Sequence, residues 1–171
     1  MDEVGPATPG QKENWVALVD PRWQPTDPSE VPPPSMIVGA WLLEEDAAGL
    51  FQPNPEYVPD DNSPSDPLDA VLRQIADGAD AGGEVVPLLR KSMVEVGCDE
   101  HDQPLLGFAP DGVACVVVVT AAAHKRGIDV ERWNAIPGGL LPQICPAGAD
   151  IMLNPSGSAA FRLRTEALTR E

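Results

Sequence analysis

The chain has 171 residues, of which 43% are hydrophobic, and this fits one folded domain with a packed core. Its formal net charge at pH 7 is −16, so we expect neither nucleic acids nor anionic membranes among its partners. Most acidic residues lie between positions 1 and 111, and two interpretations stay open: general solubility, or an acidic face for a basic protein partner.

The N-terminal residues, the longest apolar run and the cysteines indicate where the protein is located. Residues 1–13 are rich in acids, prolines and glycines, lack the features of a signal peptide, and are expected to be disordered. The longest apolar run, Val113–Val119, is too short to cross a bilayer. The three cysteines are widely spaced and form no CxxC pair, which favours reduced core thiols and a cytoplasmic location (Cys98, Cys115 and Cys145).

Residues 14–60 predict a small β-meander that is rich in aromatic side chains. The pattern indicates three strands, separated by a proline-rich loop and an acidic turn (Trp15–Val19, Met36–Leu43 and Leu50–Gln52). Because aromatic rings bury much surface, we expect Trp15 and Trp41 to lie in the core and to dock the meander on the rest of the chain.

Residues 61–90 predict a linking helical region. Asp66 is a suitable N-cap, Pro67 fits the first helical position, and Gly78 stands where a C-terminal glycine is expected. Between them the apolar residues repeat at helical spacing (Leu68, Val71, Leu72, Ile75 and Ala76). A second, brief helical turn is predicted at Val85–Lys91.

Residues 91–171 predict an α+β domain. Five segments have strand character, and Val113–Val119, apolar on both faces, is the expected central strand (the others are Met93–Val96, Leu105–Ala109, Asp150–Leu153 and Phe161–Leu163). Thr120 is expected to cap a short helix over Ala121–Arg126, and any helix in Trp133–Ile144 is expected to be short. Asn154–Gly157 matches a type I turn, and Glu166–Glu171 a last helical turn.

These elements predict an α+β fold. A mainly antiparallel sheet carries packed helices, with the small N-terminal β-meander beside it, and residues 14–171 form one compact unit.

We find no pattern that indicates catalysis, a cofactor or a metal. Cys98 and His101 form half of a zinc-type pair, but the second half is missing. The acidic stretch 60–66 lacks the glycine and the terminal glutamate of a calcium loop. Of the two histidines, His124 is expected to have a structural place at a helix end, beside Lys125 and Arg126. We therefore expect a protein that is not an enzyme and binds no cofactor.

The order of several short motifs resembles the SseB-type domain family, named for enhanced serine sensitivity. The block 91–168, with its hairpin, apolar strand and Leu153–Gly157 turn, is similar to that domain. The upstream motifs resemble the version found in actinobacterial type VII secretion system-associated proteins (Asn14–Trp23, Ile37–Trp41, Asn54–Pro59 and Asp66–Gly78). Val119-Thr120-Ala121 departs from the Phe-Thr-Ser that is frequent in the family.

The resemblance implies an accessory protein that binds a component or a substrate of a type VII secretion system, as a monomer or weak dimer. Its turn motif includes Asn154, Pro155 and Gly157, for which a role in the fold is the simpler interpretation. The alternative is a small metabolite-binding regulator or enzyme linked to serine or amino-acid metabolism. Trp23 and Tyr57 lie in proline-rich loops near acidic residues, so they are candidate protein-binding anchors. Otherwise both rings fold back as lids on the meander.

Overall fold

The structure is a computed structural model that describes residues 13–45 and 47–170. Except for Glu13, the stretch predicted to be disordered lies outside these residues. The described strands are β1 Asn14–Val19, β2 Ile37–Glu44, β3 Ala47–Pro53, β4 Met93–Cys98, β5 Leu106–Phe108, β6 Ala114–Val119, β7 Arg132–Pro137, β8 Asp150–Leu153 and β9 Phe161–Leu163. The α-helices are α1 Pro67–Ala76, α2 Gly82–Arg90, α3 Leu141–Ile144 and α4 Glu166–Thr169. Short 3-10 turns occupy Pro34–Met36, Ala122–Lys125 and Gly138–Leu140.

The strands form two sheets, and the predicted α+β fold with an N-terminal β-meander is confirmed. The larger sheet has the order β7-β4-β6-β8-β9, and β5 also pairs with β6. Its pairs are antiparallel except β6 with β8, which run parallel. As predicted, β6 is the central strand: Val116, Val118 and Val119 are fully buried.

The main hydrophobic core lies between this sheet and the helices. Its buried residues all fall between Leu68 and Leu168, with α1 and α2 contributing one layer and β4, β6 and β8 another. The helix α1 begins and ends as predicted: Asp66 caps its first turn, and Gly78 follows with a φ of 97°, which glycine adopts without strain.

The three-stranded meander, in the order β1-β2-β3, contributes no residue to the described core cluster. The prediction that Trp15 lies in the core is wrong, because its side chain is 43% exposed on the edge strand β1. Trp41 is half-buried and packs on Phe51 with 4.9 Å between the ring centres. The expected docking through buried tryptophans is therefore absent for Trp15, and the Trp41 ring packs within the meander itself.

One strand was not predicted, and one further expectation is wrong. The helices within Trp133–Ile144 are short, as predicted, but the segment also contains most of strand β7, which pairs with β4 over its full length. Thr120 was expected to cap a helix, but the turn Ala122–Lys125 has no side-chain cap. The Thr120 hydroxyl donates to Asp66 instead. No helix in the described residues combines the length and apolar character needed to cross a membrane.

Candidate functional site

A cluster of polar side chains lies where the start of α1, the end of β6 and the turn after β8 meet. We call this the polar cluster; its members are Ser65, Asp66, Asp69, Thr120, His124 and Asn154. Three of them, Asp69, His124 and Asn154, are less than 10% exposed. Buried polar groups are stable only when hydrogen-bonded, so the partners of each side chain define what the cluster can do.

Asp66 is the centre of the cluster. Its Oδ1 accepts a hydrogen bond from the Asp69 backbone N–H at 2.9 Å, which is the helix cap. Its Oδ2 accepts the hydroxyls of Thr120 at 2.6 Å and Ser65 at 2.7 Å. Burial raises the pKa of Asp66, and the hydrogen bonds from Thr120 and Ser65 only partly offset that effect.

Asn154 joins the cluster to the parallel strands β6 and β8. Its φ is 49°, a left-handed conformation that asparagine tolerates better than most residues. Its Oδ1 accepts the Thr120 N–H at 2.9 Å, and its Nδ2 donates to the Thr120 hydroxyl at 3.0 Å. The side chain thus holds together the ends of β6 and β8, two strands that are distant in sequence.

His124 lies between Ser65 and Asp69. Its Nε2 is 2.8 Å from the Ser65 hydroxyl oxygen and 3.6 Å from Asp69 Oδ1. The other oxygen of Asp69 accepts from Arg73 Nε at 2.9 Å and from the Ser65 N–H at 3.0 Å. Burial raises the pKa of Asp69, but the adjacent His124 ring and the hydrogen bonds from Ser65 and Arg73 outweigh it and place that pKa below its usual value.

The arrangement of Ser65, His124 and Asp69 differs from a catalytic triad. In a triad the acid binds one ring nitrogen of the histidine and the serine binds the other. Here both Ser65 and Asp69 face Nε2. The Ser65 hydroxyl donates its single hydrogen to Asp66, and with that arrangement Nε2 is the donor to the Ser65 oxygen. The cluster is therefore a hydrogen-bonded connection between three elements.

A polar pocket of about 350 Å³ opens beside His124. Its lining includes His124, Arg73 and Arg126, and the acidic residues Asp60 and Asp61. Four serines, Gly157, Pro59 and Ala123 complete it. The pocket has the size of a small-molecule site but a more polar lining than most.

The two candidate protein-binding anchors, Tyr57 and Trp23, differ in how deeply they are buried. Tyr57 is 8% exposed, and its hydroxyl lies 2.7 Å from the Pro64 carbonyl oxygen and 2.9 Å from Asp20 Oδ2. Burial raises its pKa to about 12. Tyr57 is thus a structural residue with no exposed ring to offer a partner. Trp23 is half-buried beside the Asp20 turn, and its binding role stays a prediction.

The buried carboxylate next to Tyr57 ties the meander to the following loop. Asp20 is fully buried, and Arg22 donates to its Oδ2 at 2.6 Å. Burial raises the pKa of Asp20, but the hydrogen bonds from Arg22 and Tyr57 outweigh that effect and lower it. Arg22 also pairs with Asp60, so one arginine links β1 to the segment before α1.

The predicted turn motif is present, and its residues have separate roles. The Gly157 N–H donates to the Asn154 carbonyl at 2.9 Å, as a type I turn requires. Asn154 belongs to the polar cluster, and Pro155 follows it in the turn. Gly157 is needed for space: a Cβ there would lie 3.2 Å from both Asn154 O and His124 Nδ1.

Gly157→Val is expected to lower the free energy of unfolding by about 1 kcal/mol or more, because a branched side chain would press on the turn and on His124. Denaturant unfolding of both proteins measures this difference. Gly112→Val is unsuitable as a control because its φ is 81°, whereas Gly83→Val changes an exposed glycine with open space around it. An unfolding midpoint equal to that of the unmodified protein would contradict the crowding.

Cys98 and His101, the half of a zinc-type pair, have no further ligands gathered around them among the described residues. Cys98 is buried and its thiol contacts Val96 O and Asn134, while His101 lies on an exposed loop. Among residues 13–45 and 47–170 no group of three His, Cys, Asp or Glu side chains is placed to hold a metal ion. Burial raises the pKa of all three thiols.

Comparison of the chain with protein-family models, with curated proteins and with solved structures finds no match.

Proposed function

We propose that the protein is a non-catalytic accessory protein that binds another protein through the outer edge of its β-meander. The single observation that carries this proposal is the exposure of β1. Trp15 and Val16 are 43% and 45% exposed, although both are large apolar residues. Large exposed apolar groups that occur together mark interaction sites in soluble proteins.

The free edge of β1 is a more suitable binding element than either face of the sheet. Trp15 and Val16 are consecutive, so their side chains point to opposite faces, and both are exposed. Within the described residues β1 pairs only with β2, which leaves its other edge free of a strand. Residues 14–19 contain no charge and no proline, the usual protections of an edge strand. A partner strand can therefore add to this sheet.

The charges near this edge define the partner's chemistry. Asn14 of β1 lies opposite Leu43 of β2, so the start of the edge is close to Glu13, Glu44 and Glu45. These three glutamates are exposed. A partner strand with apolar side chains and a lysine or arginine at the end that meets the glutamates is complementary to it.

The family resemblance supports the choice of partner. The motifs that resemble type VII secretion-associated proteins include Asn14–Trp23 and Ile37–Trp41, and these contain β1 and part of β2. Val38 of this segment is buried, but Trp15 and Val16 are exposed, so burial does not explain those two apolar residues. The proposed partner is a component or substrate of that secretion system, bound in the cytoplasm.

Affinity capture from the native cytoplasm, with mass spectrometry, tests the proposal. Val16→Lys places a charge on the edge and is expected to reduce capture of a secretion component about tenfold, with an unchanged melting temperature. Trp23→Ala is expected to weaken capture by about 1 kcal/mol or more if that ring borders the interface. Phe108→Ala is the matched control, because Phe108 is 75% exposed but lies on β5 of the other sheet.

Two results would contradict the proposal. One is capture of the same secretion component by the Val16→Lys protein at the level of the unmodified chain. The other is capture that falls equally in Phe108→Ala, which would place the contact on the larger sheet. Tyr57→Ala is expected to lower the melting temperature, because its ring is buried and its hydroxyl is hydrogen-bonded.

A further inference from the structure

The polar pocket beside His124 has features that the proposed protein interface does not use. It lies between the loop before α1, the 3-10 turn Ala122–Lys125 and the turn after β8, whereas β1 contributes none of its lining. His124 is 6% exposed, and a buried imidazole normally has both ring nitrogens hydrogen-bonded. The hydrogen-bond partners of its two ring nitrogens therefore show which group a ligand has to supply.

Only one of those nitrogens has a protein partner among the described residues. Nε2 is satisfied by Ser65, whereas no described residue forms a hydrogen bond to Nδ1. No fully buried side-chain nitrogen or oxygen of the described residues lacks a partner, so Nδ1 has some exposed surface, and His124 lines the pocket. Gly157 keeps it open, because a Cβ at that position would stand 3.2 Å from Nδ1.

The hydrogen-bond chain determines what Nδ1 can bind. Asn154 donates to Thr120, and the Thr120 and Ser65 hydroxyls both donate to Asp66. The His124 Nε2–H then donates to Ser65, and a neutral ring with its hydrogen on Nε2 has a hydrogen-bond acceptor at Nδ1. A donor group of a ligand fits this tautomer.

The charged lining adds a second requirement. Asp60 is paired with Arg22, and Arg73 with Asp69. Asp61 and Arg126 also line the pocket, and neither forms an ion pair with another described residue. Among the residues that the structure describes, one carboxylate and one guanidinium of the lining thus have no ion-pair partner, in addition to Nδ1 of His124. Arginine binds carboxylates well because its N–H groups match their geometry, while Asp61 and Nδ1 suit an ammonium group.

We propose that this pocket binds a small zwitterion, a molecule with both an ammonium and a carboxylate group, such as a free α-amino acid. The ammonium donates to His124 Nδ1 and lies near Asp61, and the carboxylate accepts from Arg126. A polyanion is disfavoured by the two aspartates in the wall, and a plain cation by the two arginines.

Isothermal titration with the standard L-α-amino acids at millimolar concentration tests this proposal. We expect at least one to bind with one site per chain, and its N-acetyl and amide derivatives, which each lack one charge, to bind at least about tenfold more weakly. Binding is also expected to move the ¹⁵N resonance of His124 Nδ1 in labelled protein, because that nitrogen gains a hydrogen bond.

Arg126→Gln is expected to weaken this binding about tenfold without changing the melting temperature of the ligand-free protein, since Arg126 is exposed. Arg164→Gln is the matched control: it removes an exposed cation that does not line the pocket. Absence of binding by every amino acid, equal binding of the N-acetyl or amide form, or unchanged binding by Arg126→Gln would each overturn the proposal. None of these results tests the proposed protein interface at the β1 edge.

Discussion

Asp66→Ala is expected to lower the free energy of unfolding by about 2–3 kcal/mol. The substitution removes the cap of α1, worth about 1 kcal/mol. It also leaves the hydroxyls of Ser65 and Thr120 without their acceptor, at about 1–3 kcal/mol for each poorly solvated group. The burial that raises the pKa of Asp66 opposes part of this loss, because the alanine variant no longer has to bury a charge.

Denaturant unfolding measures this difference in the free energy of unfolding, with the m-value held equal for the two proteins. Asp77→Ala is the matched control. Asp77 is an exposed aspartate at the other end of the same helix, where its charge is unfavourable for the helix dipole. It should therefore change stability little or raise it slightly. If both variants unfold at the midpoint of the unmodified protein, the polar cluster does not hold α1 against the sheet.

The raised pKa of Asp66 also predicts how the stability difference between the unmodified protein and Asp66→Ala changes with pH. A carboxyl group whose folded-state pKa is above its unfolded value contributes most stability below the unfolded value, and that contribution falls as the pH rises through the folded pKa. The stability gap between the unmodified protein and Asp66→Ala should thus widen as the pH is lowered from about 7 to about 4.5. A gap that narrows would show that Asp66 has a lowered pKa instead.

The parts of the fold that the sequence predicted are those with local signals. The cap, the first-turn proline and the final glycine of α1 all lie within thirteen residues, and each acts on the backbone next to it. The central strand β6 was recognisable from its unbroken β-branched run. Strand β7 was missed because Arg132–Pro137 contains an asparagine and a proline, which are rare in strands, and its pairing with the distant β4 makes it a strand.

The candidate site was predicted poorly, because its contacts join residues that are far apart in the chain. Ser65 and His124 are 59 residues apart, and Asp66 and Thr120 are 54 apart. His124 stands beside Lys125 and Arg126 in the sequence, which favoured a place at an exposed helix end. Nothing local distinguishes it from them. Trp15 was assigned to the core for a related reason: its ring is apolar, but β1 is an edge strand of the described sheet, and Trp15 is 43% exposed there.

Gly138 and Gly139 are neighbours with very different surroundings, and this makes them a matched pair. Gly138 is buried where α2 ends, and its N–H donates to the Ser92 carbonyl at 2.9 Å. A Cβ on Gly138 would lie 2.1 Å from the Leu89 carbonyl oxygen and 2.9 Å from the Leu89 carbonyl carbon. The nearest atom to a Cβ on Gly139 is Arg90 O, at an ordinary 3.6 Å.

Gly138→Ala is therefore expected to lower the free energy of unfolding by about 3 kcal/mol, since backbone atoms of α2 must move and Leu89 is fully buried in the core. Gly139→Ala is expected to be neutral or to stabilise the protein by up to about 1 kcal/mol, because alanine restricts the unfolded chain and meets no close atom. Unfolding midpoints of the two variants provide the measurement. Equal midpoints would show that α2 can withdraw from β7 without loss, and that the close approach at Gly138 does not hold the helix layer on the sheet.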